Sequence, residues 1–142
     1  MAACPFCEIA ARDEWADLVA WRTGDVFVVI PPRQRPRNPG HALVLPIDHR
    51  TALSSLPPAT LATLYRTAGR VGLAQRRVFG ATGTTMFQNE TAPDQVLEHL
   101  HVHVVPRFPG DGFAMPDPGI VDVSREVRAA QARALRDAMS AE

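Results

Sequence analysis

Residues 99–105 read His99-Leu100-His101-Val102-His103-Val104-Val105, so that imidazoles alternate with apolar side chains. Alternate residues of a β-strand face the same side of a sheet, about 6.5–7 Å apart along the strand. A strand over 99–105 therefore places the imidazoles in a row on one face and turns the apolar side chains towards a core. The pattern predicts a buried strand that carries this row.

Three interpretations of the histidine row are open from the residues alone. The row is an exposed polar strand face, or it chelates the metal of a zinc hydrolase, as His-x-His pairs can. The third interpretation is covalent catalysis, because a neutral imidazole attacks phosphorus when its other nitrogen is held by a hydrogen-bond acceptor. Neighbouring imidazoles then hold phosphate oxygens and move protons. All five histidines of the chain lie at positions 41, 49, 99, 101 and 103, which favours a built site.

The residues around the row predict further strands. Two apolar, β-branched runs, Leu18–Trp21 and Val26–Ile30, flank the turn signal Thr23-Gly24-Asp25 and predict a hairpin. Short strands are predicted at two more places, Ala42–Leu45 and Thr84–Gln88. The proline-rich segments 31–40 and 106–120 are expected to be loops, because proline cannot donate to a strand ladder.

The helices are also visible in the sequence. Pro57 and Pro58 follow two serines and predict the start of a long helix, and Gly80 fits its end. The apolar face of this helix has the i, i+3, i+4, i+7 spacing, at Leu61, Leu64, Tyr65, Ala68 and Val71. A short helix is expected at 5–11 and a C-terminal helix at about 123–140. Strands, a long helix and further strands predict the α+β class with an antiparallel sheet.

The composition excludes some classes of partner. The chain has 142 residues, of which 46% are hydrophobic, so it is long enough for one domain with a real core. Its 15 basic and 15 acidic side chains cancel, whereas a large nucleic-acid surface needs a basic excess. Apolar runs are far shorter than the roughly 20 residues of a membrane span, and the N-terminus does not resemble a secretory signal. We expect a cytoplasmic protein without nucleic-acid or membrane partners.

The alternation at 99–105 resembles the signature of the histidine triad (HIT) superfamily. Residues 39–49, which read PGHALVLPIDH, are similar to the PGHxLVxPxxH segment of that family. The start, Cys4-Pro5-Phe6-Cys7-Glu8-Ile9, resembles the bacterial branch with an N-terminal CxxC, as do residues 104–113 after the row. The likeness covers residues 4–113. It implies a single domain over 1–142, with a five-stranded antiparallel sheet, one long helix and a C-terminal helix.

The resemblance also implies a reaction. In this family the middle histidine, here His101, attacks the α-phosphorus of a nucleotide and forms a transient nucleotidyl-histidine. His103 assists charge and proton movement beside the phosphate, and His99 orients the site. The implied substrates are nucleoside phosphoramidates, acyl-nucleotides or dinucleoside polyphosphates, with water or phosphate as acceptor, and a homodimer is expected. The alternative is a nucleotide- and zinc-binding regulatory module with little turnover.

Substrate-binding positions carry over one by one. Gln88 and Gln95 match polar amides near the phosphate, and His41 matches a histidine near the substrate. The resemblance places the base in an apolar slot formed by Phe6, Ile9, Val29 and Ile30, although ordinary core packing explains these residues equally well.

The chain departs from the family pattern at three positions. Asp94 stands where relatives have a glycine that lets backbone N–H groups approach the phosphate. Val96 replaces a hydroxyl side chain. Pro31 or Pro32 stands where relatives carry Asp or Asn for the ribose hydroxyls. These departures leave the nucleophile in place and bear on substrate identity and turnover rate.

Cys4 and Cys7 have the spacing of half a zinc site. Two reduced thiols or a redox pair are the alternatives, and the redox pair is disfavoured because no strand precedes the motif. Relatives with a structural zinc complete the site with a histidine after the PGH strand and the first triad histidine. The implied ligands are Cys4, Cys7, His49 and His99, with zinc structural and no cofactor required for the chemistry.

Three arginines, Arg33, Arg35 and Arg37, lie in the proline-rich loop. A solvated loop face is the favoured interpretation. The alternative is that they reach the distal phosphates of a polyphosphate substrate.

Overall fold

The secondary structure comes from a computed structural model, which describes residues 3–90, 93, 98–115 and 117–141. The helices are α1 (Pro5–Ala11), α2 (Pro58–Phe79) and α3 (Arg125–Ser140). The strands are β1 (Val19–Arg22), β2 (Val26–Val29), β3 (Arg33–Gln34), β4 (Ala42–Pro46), β5 (Gly83–Phe87), β6 (Val102–Arg107) and β7 (Val121–Asp122). Short 3₁₀ helices cover Asp13–Leu18 and Leu53–Ser55.

The main sheet has five strands in the order β1-β2-β4-β6-β5, and every neighbouring pair is antiparallel. This confirms the predicted α+β fold with a five-stranded antiparallel sheet, one long helix and a C-terminal helix. The order places β6 between β4 and β5, so the strand that contains His103, the last histidine of the row, has a neighbour on each side.

Side chains alternate between two cores on opposite faces of the sheet. In and after β2, Val26, Val28 and Ile30 pack in a cluster with residues of α2 and α3. Phe27 and Val29 pack in a second cluster that includes Phe6 of α1. Because β2 is buried on both faces, its sequence is a continuous apolar run.

The histidine strand begins later than predicted. The expected strand was 99–105, but β6 starts at Val102. Before that point the backbone has other partners: Leu100 N–H donates to the Arg50 carbonyl at 2.7 Å, and the His99 carbonyl accepts from the ring of His101 at 2.7 Å. The predicted alternation still holds, because Leu100, Val102 and Val104 all pack in the α2–α3 core.

The proline-rich segment contains one element that the sequence did not predict. β3 pairs with β7 as a separate two-stranded sheet, with Arg33 opposite Asp122 and Gln34 opposite Val121. Prolines on both sides of β3 limit it to two residues.

Helix ends follow local chemistry. α2 begins at Pro58 and ends before Gly80, whose φ of 74° is the left-handed conformation that glycine adopts without strain. α3 begins two residues after the expected 123, because the Ser124 side chain caps it by accepting from Val127 N–H at 3.2 Å. None of the helices in the described part of the chain is long and apolar enough to cross a membrane.

Buried amides fix the end of the proline-rich loop against the sheet. Asn38 Nδ2 donates to the Pro106 carbonyl at 2.9 Å and to Asp111 Oδ2 at 2.8 Å. Gln75 Nε2 of α2 donates to the carbonyls of Gly40 and Val104, at 3.0 and 2.9 Å. These contacts hold the chain that leads into β4 and position the residue between Gly40 and β4, which is His41.

Candidate active site

His101 is held in one tautomer by the main chain. Its Nδ1 lies 2.7 Å from the carbonyl oxygen of His99. A carbonyl only accepts, so Nδ1 carries the proton and Nε2 keeps its lone pair. The ring is half-buried, with centroids 5.4 Å from Phe6 and 4.8 Å from His103. This is the state that an imidazole nucleophile needs.

Burial lowers the pKa of His101, and the hydrogen bond to the His99 carbonyl opposes that shift. The net direction is downwards, which favours the neutral ring. Burial also lowers the pKa of His103 and of His41, and nearby positive charge, including that of Arg35, lowers both further. The site is therefore built from neutral imidazoles at neutral pH.

His103 and His41 form a hydrogen-bonded pair. Nε2 of His41 lies 3.0 Å from Nδ1 of His103, and the Phe87 ring stacks on His103 at 4.2 Å. Two neutral rings share one N–H in such a pair. When His41 donates it, Nε2 of His103 is protonated and is a donor for a phosphate oxygen.

The remaining predicted binding residues are only partly brought together. Phe6 contacts the rings of His99 and His101, and Ile9 packs in the same cluster as Phe6. Ile30 is 0% exposed and packs in the other core, under α2 and α3, so the structure does not bring it to Phe6. Gln88 follows β5 and its Oε1 is buried without a hydrogen-bond partner among the described residues. Gln95 lies outside the described residues, as do Asp94 and Val96.

The four predicted metal ligands converge. One donor atom from each of Cys4, Cys7, His49 and His99 lies within 4.8 Å of the others. Nε2 of His99 donates to the Pro46 carbonyl at 2.8 Å, which leaves the lone pair of Nδ1 towards Sγ of Cys4 and Cys7, at 3.4 and 3.6 Å. Nδ1 of His49 lies 3.5 Å from Sγ of Cys7.

These distances fit a tetrahedral zinc ion. Zn–S bonds of about 2.3 Å and Zn–N bonds of about 2.05 Å at tetrahedral angles put S and N about 3.6 Å apart. The observed S···N distances are 3.4 to 3.6 Å. The Pro46 carbonyl on the far nitrogen of His99 is the outer contact that fixes the tautomer of a metal-binding imidazole. The donor set would join α1 to the segment that carries the histidine row and leave His101 free.

Arg35 is a residue of this site that sequence reasoning misplaced. A solvated face was expected for all three loop arginines, and Arg33 and Arg37 are exposed, but Arg35 is 5% exposed. Its Cζ lies 4.7 Å from the ring centroid of Phe113 and 5.8 Å from that of Phe87. No sequence signal separates Arg35 from its neighbours, because its burial depends on Phe113, which is distant in the chain.

Comparison with known proteins identifies the family. The HIT domain profile matches residues 15–110. The chain belongs to the HIT family. An uncharacterised HIT-like protein of Mycobacterium tuberculosis is 31% identical over 138 residues, which are 96% of this chain and 93% of that protein. The zinc-bound histidine triad family protein of Mycobacterium smegmatis has a similar structure, with a TM-score of 0.78 and 28% identity over 98% of this chain and 94% of that chain.

Two HIT relatives have activities in their names. The AP-4-A phosphorylase of M. tuberculosis is 33% identical over 109 residues, 75% of this chain and 55% of that protein. The adenylylsulfatase HINT3 of Arabidopsis thaliana is 30% identical over 108 residues, 73% of this chain and 52% of that protein. This chain thus spans about half the length of these two relatives.

Proposed function

We propose that this HIT protein is a nucleotide hydrolase or nucleotidyltransferase that acts at an α-phosphate through a covalent nucleotidyl-His101. The observation that carries the proposal is the 2.7 Å contact of His101 Nδ1 with the His99 carbonyl, because it leaves Nε2 as a half-buried, unprotonated nucleophile. The neighbouring His41–His103 pair supplies a donor beside it.

The proposed reaction has two displacements. Nε2 of His101 forms a bond to the α-phosphorus while the bond from phosphorus to the leaving group breaks, and the leaving group takes the electron pair. Nε2–H of His103 donates to the phosphate oxygens and to the leaving atom and stabilises the charge that develops there; a leaving group that needs a proton takes it from solvent. Water then attacks phosphorus and gives up a proton to solvent, and the P–N bond breaks to restore the lone pair of His101.

The proposed substrates are nucleoside phosphoramidates, acyl-nucleotides and dinucleoside polyphosphates. Relatives named for AP-4-A and for adenylylsulfate support this class, and the phosphorylase supports phosphate as an alternative acceptor to water. Gln88 and, by the resemblance, Gln95 are proposed to hold phosphate oxygens, with Phe6 and Ile9 beside the base. A cytoplasmic homodimer of single-domain chains remains a prediction.

We also propose one structural zinc ion per chain, held by Cys4, Cys7, His49 and His99. The fit of the S···N distances to a tetrahedral site and the zinc-bound relative support it. The ion would stabilise the N-terminal segment and take no part in bond breaking. The competing function, a regulatory module with little turnover, is favoured by the departures from the family pattern at Asp94, Val96 and Pro31, of which Pro31 is buried.

A turnover screen separates the two functions. Adenosine and guanosine phosphoramidates and dinucleoside polyphosphates are offered with water and phosphate as acceptors, and intact-protein mass spectrometry looks for a nucleotidyl adduct. We expect turnover that is abolished in His101→Ala and restored in part when imidazole is added to His101→Gly. Asp137→Asn, at an exposed position of α3, is the control for a substitution outside both the reaction and the metal site. Near-native rates in His101→Ala refute the mechanism, whereas nucleotide binding without adduct or turnover supports the regulatory module.

A further inference from the structure

Three buried polar atoms near the histidine pair have no hydrogen-bond partner among the described residues. They are Nε of Arg35, Nδ1 of His41 and Oε1 of Gln88. His41 contacts His103 directly, Gln88 follows Phe87, and the Phe87 ring stacks on His103 and lies below the Arg35 guanidinium. Buried polar atoms are rarely left without partners. Of these three, Nε of Arg35 is a donor and can bind an anion, whereas Oε1 of Gln88 and, when His41 donates to His103, Nδ1 of His41 are acceptors that need a donor such as water.

The charge of Arg35 is poorly compensated. Its Nη2 donates to the Ala114 carbonyl at a long 3.4 Å, and its Nε is 3.5 Å from Asp117 Oδ2 without forming a hydrogen bond. Arg107, on the same Phe113 ring, differs: it donates twice to Asp111, at 2.8 and 3.1 Å, and once to Thr85. Arg35 is thus the buried cation beside this ring that lacks a close bidentate anion.

Asp117 is a weak partner that a stronger anion can replace. Its other oxygen, Oδ1, accepts from Gly119 N–H at 2.7 Å, so its carboxylate is committed to a turn of its own segment. Its side chain is 20% exposed, whereas that of Arg35 is 5% exposed. A phosphate offers the guanidinium a bidentate contact that the carboxylate does not make here.

We propose that Arg35 is a specificity-determining residue that binds the terminal phosphate of an anionic leaving group, in exchange for Asp117. The inference rests on the proposed function, since it places the leaving group on the His103 side of His101. The consequence is a preference for substrates that release a nucleoside phosphate over substrates that release a neutral amine.

The loop that carries Arg35 is held independently of the substrate. The Gln34 side chain is buried and its Nε2 donates to Gln131 Oε1 of α3 at 2.7 Å, while its Oε1 accepts from Gly40 N–H at 3.0 Å. Asn38 N–H donates to the Arg35 carbonyl at 3.0 Å. The guanidinium is therefore preorganised, which reduces the entropy lost on binding.

The test compares two substrates in four variants. kcat/KM is measured for diadenosine tetraphosphate and for an adenosine phosphoramidate with an uncharged amine, in Arg35→Met, Arg35→Lys, Asp117→Asn and the exposed control Arg37→Met. Arg35→Met should lose about 10- to 100-fold on the tetraphosphate and less than about threefold on the phosphoramidate, the size of one charge-assisted bidentate contact. Arg35→Lys should lie between, and Arg37→Met should match the wild type.

Asp117→Asn is the variant in which the proposal predicts a gain of activity. It keeps the acceptor for Gly119 but removes the competing charge, so kcat/KM for the tetraphosphate should rise. A role for the Arg35–Asp117 pair in stability alone predicts that both variants lose activity on both substrates, and that result overturns the inference. So does a wild type that prefers the phosphoramidate.

Binding by calorimetry separates this inference from the proposed function. Wild type should bind ADP more tightly than AMP, and Arg35→Met should remove that difference. If no substrate turns over but the ADP preference depends on Arg35, the proposed function fails and the inference stands. If turnover requires His101 while neither the ADP preference nor the substrate ratio depends on Arg35, the inference alone fails. Should Arg35→Met not fold, Arg35→Lys and Asp117→Asn decide by the same ratios.

Discussion

Gly40 tests how tightly the loop before His41 is fixed. Its φ is 93°, and a Cβ built on it would overlap the ring of Phe79 at the end of α2. A left-handed conformation costs an L-residue about 1–2 kcal/mol, and forcing extra volume into a packed contact costs about 1–3 kcal/mol. The Gly40→Ala variant should therefore lose about 2–5 kcal/mol of unfolding free energy.

Two other glycines separate these contributions. Gly80 has a φ of 74° with nothing within 4 Å of an added Cβ, so Gly80→Ala should lose only the backbone part, about 1–2 kcal/mol. Gly24 has open space and no positive φ. Gly24→Ala should be neutral or stabilising by up to about 1 kcal/mol, through the unfolded chain.

Urea unfolding at matched zinc content measures the series. With a slope of about 2 kcal/mol per M, Gly40→Ala should lower the midpoint by about 1–2.5 M relative to wild type. Equal midpoints for Gly40→Ala and Gly80→Ala would show that the Phe79 ring moves aside without a measurable cost in unfolding free energy. A Gly40→Ala midpoint equal to that of Gly24→Ala would refute the strain argument as well.

Two further predictions concern metal and pH. Protein purified without chelator should contain about one zinc per chain, and Cys4→Ser should release it and lower the unfolding free energy, because binding energy at a structural site is folding energy; metal-free wild type of equal stability would contradict this. The pKa of Asp111 is held well below its usual range, chiefly by hydrogen bonds from Arg107 and also from Phe108 N–H. The ionised Asp111 carboxylate therefore adds to the free energy of unfolding above the unfolded pKa of about 3.9, and this stabilisation is lost as pH falls below that value. Asp111→Asn should make the free energy of unfolding depend less steeply on pH in this acid range. The exposed control Asp48→Asn should leave that dependence as in the wild type.

Most of the fold and the candidate metal site could be predicted from local patterns in the sequence. The alternation in 99–105 identified the buried face correctly, because burial of every second side chain survives even where the ladder does not form. The CxxC motif and His49 met His99 as the resemblance implied. The first prediction needed only the alternation of neighbouring residues in a strand, and the second needed only residue types and spacings that are typical of a zinc site.

Long-range packing explains what sequence reasoning did not find. β3 and β7 are two residues each, too short for a periodic signal, and they pair across 87 positions, from 34 to 121. Arg35 Cζ lies 4.7 Å from the Phe113 ring centroid, a contact that no pattern within either segment predicts. The direction of Ile30 was predictable, because strand alternation places it with Val26 and Val28 and opposite Val29, so the two residues could not line one slot.

The orienting group for His101 is a main-chain carbonyl, and that has a consequence for mutagenesis. In a side-chain relay the orienting acid can be deleted by one substitution, and its contribution is then read directly. Every residue placed at position 99 brings the same carbonyl, so a scan of side chains there reports the metal ligand and is blind to the group that sets the tautomer. Replacing the peptide linkage after residue 99 by an ester, through chemical ligation, would weaken that acceptor while the imidazole of His99 stays in place, at the cost of the Leu100 N–H that donates to the Arg50 carbonyl.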